Sequence, residues 1–132
     1  MPLNDAVINI RNLRLRTYIG FNPEEKEKRQ DIIVNIEINY AISQAVLQDN
    51  VDNALDYKQI TKQVIEYVEN GRFLLLEKLV ADVLEICSRN PLVSYARVTI
   101  DKPHALRFAD SVSLALEYVT NKMNNLRLVE NT

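Results

Sequence analysis

From Val34 to Tyr40 apolar and polar residues alternate without a break. Val34, Ile36, Ile38 and Tyr40 fall on one side of an extended chain, and Asn35, Glu37 and Asn39 on the other. Ile32 carries the apolar set one step further back. A segment this one-sided demands a sheet with one covered face and one wet face. The same period runs earlier, from about Ala6 to Ile19, where Leu13, Leu15, Thr17 and Ile19 share a parity. Ile8 and Ile10 are out of phase with them, which predicts a bulge near Arg11-Asn12. A turn through Gly20-Phe21-Asn22-Pro23 and a charged run from Glu24 to Arg29 join the two segments into a long β-hairpin.

The period then changes. Residues 43–56 are irregular, with Asp49, Asn50, Asp52 and Asn53 as turn-formers. Ile60, Val64, Tyr67 and Val68 recur at helical spacing and predict a helix from about Lys58 to Val68, closed by Asn70-Gly71. Leu75, Leu76, Leu79, Val80, Val83 and Leu84 predict a second, from about Leu74 to Arg89, stopped at Asn90-Pro91. Two more strands follow, Ser94 to Asp101 and Arg107 to Val119. The order is β-β-α-α-β-β, an α+β fold whose natural packing is an antiparallel four-stranded sheet with both helices on one face. A single domain over residues 1–120 is expected, with a polar tail at 121–132 that frays or adds a partner contact.

Composition closes off several kinds of chemistry. Sixteen basic residues against eighteen acidic leave a net charge of −2, which makes no electrostatic case for nucleic acid. The two glycines, Gly20 and Gly71, exclude Gly-rich phosphate loops, so any phosphate must be met by Arg, Lys or helix N-termini. One histidine and one cysteine exclude the usual zinc sets, and no metal or cofactor is expected. Cys87, among Leu84 and Ile86, reads as buried filling. The first residues show no charged-then-apolar leader pattern and no apolar run reaches membrane-span length, so a soluble cytoplasmic protein is expected.

Five positions exceed this background. Lys102 shares a strand parity with Val98 and Ile100, so an ammonium stands where the pattern asks for an apolar side chain. From spacing alone it is equally a strand-end lysine whose stem reaches past the core to water. Glu77 lies between Leu76 and Leu79 in the most apolar stretch, or is a helix-surface residue pairing with Lys78 or Arg72. Tyr57 follows Leu55-Asp56 and can be a core aromatic at a helix start; Glu25 sits in a charge run that solvent can satisfy. His104, the chain's only histidine, is by itself a loop residue.

Taken in order, these segments resemble the dihydroneopterin aldolase family. The matching stretches are Ile19-Gly20 with Glu25 and Gln30, Ala54-Leu55-Asp56-Tyr57, Arg72-Phe73-Leu74-Leu75-Leu76-Glu77 and Asp101-Lys102-Pro103. Three more resemble the family's epimerase branch: Arg11 to Thr17, Arg29-Gln30-Asp31-Ile32 and His104 to Ser111. The resemblance covers about residues 7 to 118. Aldolases of the family tend to carry a small residue after the Lys-Pro pair; His104 stands there instead, and makes plain aldolase the second choice.

The resemblance implies a tunnelling fold (T-fold), in which subunits join sheets edge to edge into rings. A homo-octamer of two stacked tetramers is implied, with active sites between neighbours. That arrangement satisfies the exposed sheet edges of so small a unit. It implies Lys102 as catalytic base and Tyr57 as proton donor or relay. Glu77 becomes the anchor of a pterin ring, with a backbone contact from Leu76 and a further functional position at Glu25. The implied substrate is 7,8-dihydroneopterin triphosphate, inverted at C2′ to the dihydromonapterin form by reversible retro-aldol chemistry. The alternatives are aldol cleavage to 6-hydroxymethyl-7,8-dihydropterin, or a non-catalytic pterin-binding oligomer. Arg107 and His104, just past Lys102, are candidates to hold the triphosphate, and Arg16 and Arg29 are further ones. A lysine base must be partly neutral near pH 7 although free lysine titrates near ~10.4, and an apolar wall of Val98 and Ile100 is the expected means.

Overall fold

The computed structural model describes residues 2–120; the tail expected at 121–132 lies outside them. Strand β1, Ala6–Ile19, pairs antiparallel with β2, Gln30–Tyr40, and the register shifts between Ile10 and Leu13. The bulge falls where the phase change predicted it. Asn12 takes a φ of 55° there, and its N–H donates to Asn35 Oδ1 at 2.9 Å. Asparagine tolerates this left-handed conformation better than most residues. The extra step returns Ile8, Ile10, Leu13 and Leu15 to one face of the sheet.

The charged run between the two strands is more ordered than its composition suggests. It forms a short helix α1, Pro23–Glu27, with Pro23 at its start and the Asn22 side chain accepting from the Glu25 N–H at 2.9 Å. The irregular segment after β2 holds one helical turn, α2, Gln44–Leu47, and a 3₁₀ turn at Val51–Asn53. Helix α3, Tyr57–Glu69, is capped by Asp56, whose carboxylate accepts from the Gln59 N–H at 3.0 Å. Helix α4 runs Leu76–Ser88, strand β4 Val93–Lys102 and strand β5 Val112–Val119.

Two expectations need correction. Among the described residues the sheet has five strands, in the order β3-β1-β2-β4-β5, because Arg72–Phe73 forms a two-residue strand β3 parallel to Tyr18–Ile19. Two residues are too few for a period, so only the pairing reveals it. The last strand starts at Val112 rather than Arg107, since β4 and β5 pair from Lys102↔Val112 and 103–111 form their connection. Asn70-Gly71 closes α3 as expected, with Asn70 as its cap, but Gly71 has no positive φ and does not supply the left-handed turn common at such an end. It is needed for space: a Cβ there would lie 2.6 Å from the Phe73 ring.

The core lies between one sheet face and the two long helices. Leu15, Val34, Ile36, Val98 and Ile100 meet Val64, Val68, Leu79, Val80 and Val83, all buried. Each such side chain contributes about 1.5–3 kcal/mol on leaving water. Thr17 is the one buried polar residue among them, and its hydroxyl donates to the Val68 carbonyl at 2.6 Å. Cys87 is fully buried, and burial pushes its thiol up to about 12, which leaves it packing rather than reactive. Among the described residues no helix is long and apolar enough to cross a membrane.

Candidate active site

The end of this core that carries Lys102 is not closed. The side chain of Lys102 continues the inward parity of Val98 and Ile100 one step past the last β2–β4 pairing, where it meets Glu25 of helix α1. There its Nζ donates to Glu25 Oε2 at 2.8 Å, and both side chains are largely shielded, 13% and 22% exposed. The lysine therefore meets a carboxylate as well as the apolar wall expected for it. Glu25 is fixed from three sides: its N–H by Asn22, its carboxylate by Lys102 and, at 3.3 Å, by Gln30 Nε2. The hydrogen bond from Lys102 is the main cause that holds the Glu25 carboxyl below its ordinary value. Gln30 also donates to the Ile19 carbonyl, so the start of β2 is tied to the end of β1 beside the pair.

A cavity of about 330 Å³ opens at this pair, lined by Gly20, Phe21, Leu74–Glu77, Ala105 and the start of β5. Its size suits a small flat heterocycle. Glu77 stands on the cavity wall in the first turn of α4, a favourable place for an anion. Leu75 caps the helix without a side-chain hydrogen bond, leaving first-turn N–H groups beside Leu76 and Glu77 for other acceptors. Strand β3 sets this helix start against the sheet, because the Gly20 N–H donates to the Phe73 carbonyl at 2.9 Å. Gly20 has a φ of +128°, and a Cβ there would fall within 2.1–2.4 Å of the Glu25 carboxylate. No other residue fits both requirements.

One chain thus brings Lys102, Glu25, Glu77 and Leu76 to a single cavity. The other candidates lie elsewhere. Tyr57 is half exposed on a larger cavity of about 810 Å³ between β1 and α3, with Ile8, Ile10, Thr61 and Ile65. That cavity has none of the four residues on its wall. His104 lines a third cavity with Arg14, Arg16 and Asp31. Arg107 sits in the exposed connection 103–111, its guanidinium 5.4 Å from the Phe108 ring centre. Arg29 and Arg72 flank the Tyr18 ring at 5.6 and 3.8 Å. Sequence reasoning missed the parts played by Gln30 and Gly20. Asn22-Pro23 was the available signal, since a capping residue before a proline marks the helix that aims Glu25.

The buried pair gives a pH prediction. Glu25 has a folded-state value below its ordinary 4.5, so its contribution to stability is full above that value. It is lost as the pH falls through the depressed one. Denaturant titrations of the wild type and Glu25→Gln at a series of pH values should show a constant gap above the ordinary value that closes in acid.

The comparisons with known proteins agree with this fold. The family described as "FolB: Dihydroneopterin aldolase" matches residues 8–117. A dihydroneopterin triphosphate 2′-epimerase of Escherichia coli is 51% identical over 113 residues, 86% of this chain and 94% of that protein. One from Pseudomonas aeruginosa is 47% identical over 111 residues, 84% of this chain and 90% of that one. Among solved structures, E. coli dihydroneopterin aldolase in complex with neopterin superposes with a TM-score of 0.78 at 28% identity, over 86% of this chain and 98% of that one. With the family's pattern running through nearly the whole described chain and its fold reproduced, this protein belongs to the dihydroneopterin aldolase family.

Proposed function

We propose that this protein is a dihydroneopterin triphosphate 2′-epimerase. The observation that carries the reading is the Lys102–Glu25 pair, 2.8 Å apart, in a cavity that also presents Glu77. The 51% and 47% identity to proteins of that name supports the choice of substrate. Glu77 accepts two hydrogen bonds from the pterin's amino group and adjacent ring N–H, and Leu76 adds a backbone contact. In its neutral amine form, Lys102 Nζ takes the proton of the 2′-hydroxyl. The O–H electrons form the C2′ carbonyl, the C1′–C2′ bond breaks, and its electron pair passes into the conjugated C6=N5 imine of the substrate. The ring itself is the electron sink. Turning the aldehyde fragment and re-adding it to its other face inverts C2′; release of the fragment is the aldolase outcome.

Retention of the fragment requires a hold on its triphosphate, which falls to cations close to Lys102, with His104 among them. Tyr57 relays protons in the site of a neighbouring subunit, a reading supported by its exposed place on a separate cavity. Among the described residues the sheet ends at β5 and β3 covers only Tyr18–Ile19 of β1, which leaves sheet edges for ring closure. The assembly we assign is an octamer of two stacked tetrameric rings, located in the cytoplasm.

The test is product analysis. Incubation with 7,8-dihydroneopterin triphosphate and with 7,8-dihydroneopterin, followed by chromatography of the pterins, should give the dihydromonapterin isomer from the first as the dominant product. Hydroxymethyl-dihydropterin from the second, with no isomer from the first, would make the protein an aldolase. That alternative is favoured by one observation, the likeness to the neopterin-bound aldolase.

A further inference from the structure

Lys102 faces the helices, but the chain does not stay on that side. Pro103 and His104 carry it over the end of the sheet, where they line a cavity of about 370 Å³ with Arg14, Arg16, Asp31 and Ile33. Arg14 pairs with Ile33 and Arg16 with Asp31 in the β1–β2 ladder, so this cavity opens on the face turned away from the helices. Arg16 Nε holds Asp31 at 3.0 Å, and its NH2 group donates to the Arg29 carbonyl at 3.3 Å. Asp31 is thereby neutralised. Among the described residues Arg14 has no ion-pair partner. The cavity therefore keeps a surplus cation and an imidazole N–H.

We infer that this cavity is the polyphosphate subsite, with Arg14 as its principal ligand, His104 as a second donor and Arg16 as the fixed wall. This rests on the triphosphate reading of the pterin site above. Lys102 and His104 are two positions apart, a backbone reach of at most about 7 Å. A triphosphate arm leaving C3′ of a substrate whose 2′-hydroxyl is at Lys102 has the length to pass over Pro103 into it. An arginine fork without a protein partner is suited to bidentate phosphate binding. The other cationic hollow near the site, with Lys26 and Arg72, is less suited. It is smaller, about 210 Å³, Glu25 forms part of its wall, and Arg72 is stacked on Tyr18 and donates to the Lys26 carbonyl at 3.2 Å.

Calorimetric titration with inorganic triphosphate and with 7,8-dihydroneopterin, alongside kinetics on the triphosphate substrate, tests the assignment. Arg14→Ala should weaken inorganic triphosphate and raise KM for the triphosphate substrate by about 10-fold or more, the scale of a lost charge-assisted contact. His104→Ala should act in the same direction. Both should leave dihydroneopterin affinity within about twofold, and Lys26→Ala should change neither ligand. Equal losses for both ligands, or a selective loss confined to Arg107→Ala or Lys26→Ala, would overturn the subsite. If the wild type binds inorganic triphosphate through Arg14 but does not epimerise the substrate, the subsite stands and the proposed function fails. If it epimerises the substrate and Arg14→Ala does not affect that, the function stands and the subsite fails.

Discussion

Lys102→Ala is expected to lower turnover of the triphosphate substrate by about 10²–10⁴, the usual worth of a positioned proton-transfer group. Pterin affinity should stay within a few-fold, because Glu77 and the Leu76 backbone remain. The variant also tells an enzyme from a pterin-binding oligomer, since a binder has no turnover to lose. Removing the ammonium leaves Glu25, with its side chain 22% exposed, without its ion-pair partner. Its carboxyl should then titrate closer to the ordinary 4.5, because the hydrogen bond that chiefly depresses it is gone. Following that carboxyl by NMR separates loss of the base from general misfolding: an unfolded chain would titrate every carboxylate normally, not this one alone. Turnover close to that of wild type would remove Lys102 from the mechanism.

Glu77→Ala should do the reverse. Two hydrogen bonds to a carboxylate, each worth about 1.5–3 kcal/mol, place the expected loss of pterin affinity at about 100-fold or more. The helix itself should suffer little, since an acid in the first turn contributes about 0.3–1 kcal/mol at an exposed position. A small fall in melting temperature with a large rise in Kd is the expected signature. Glu77→Gln, which keeps one acceptor, should lie between the two. Unchanged neopterin binding in Glu77→Ala, measured by calorimetry, would end the anchoring role.

How far the sequence reveals this site depends on how local each part is. Period-2 alternation places Lys102 on the core face of its strand because parity is a property of the strand alone. The bulge at Arg11-Asn12 is equally local, a change of phase within one segment. Strand β3 is not, since Arg72–Phe73 becomes a strand only by pairing with Tyr18–Ile19, more than fifty residues earlier. Nor is the Lys102–Glu25 pair, whose members are 77 residues apart in the chain. A charge run such as Glu24–Arg29 looks solvated until the fold sets one of its carboxylates against the end of another strand. Arg107 shows the opposite failure: closeness in sequence to Lys102 suggested a shared site, yet the connection 103–111 carries its guanidinium onto Phe108. The polyphosphate cavity had the same obstacle, since Arg14 and His104 are far apart in the chain and meet only at the sheet's end.

The bare backbone at Gly20 makes the adaptability of this pocket lopsided. Any side chain at that position would displace the Glu25 carboxylate, so that rim offers no route to a new ligand preference. Another part of the lining is built differently: Leu74 and Leu75, just before α4, stand out at 58% and 49% exposure. A randomised library aimed at altered substrates should find its survivors there and should return glycine alone at position 20.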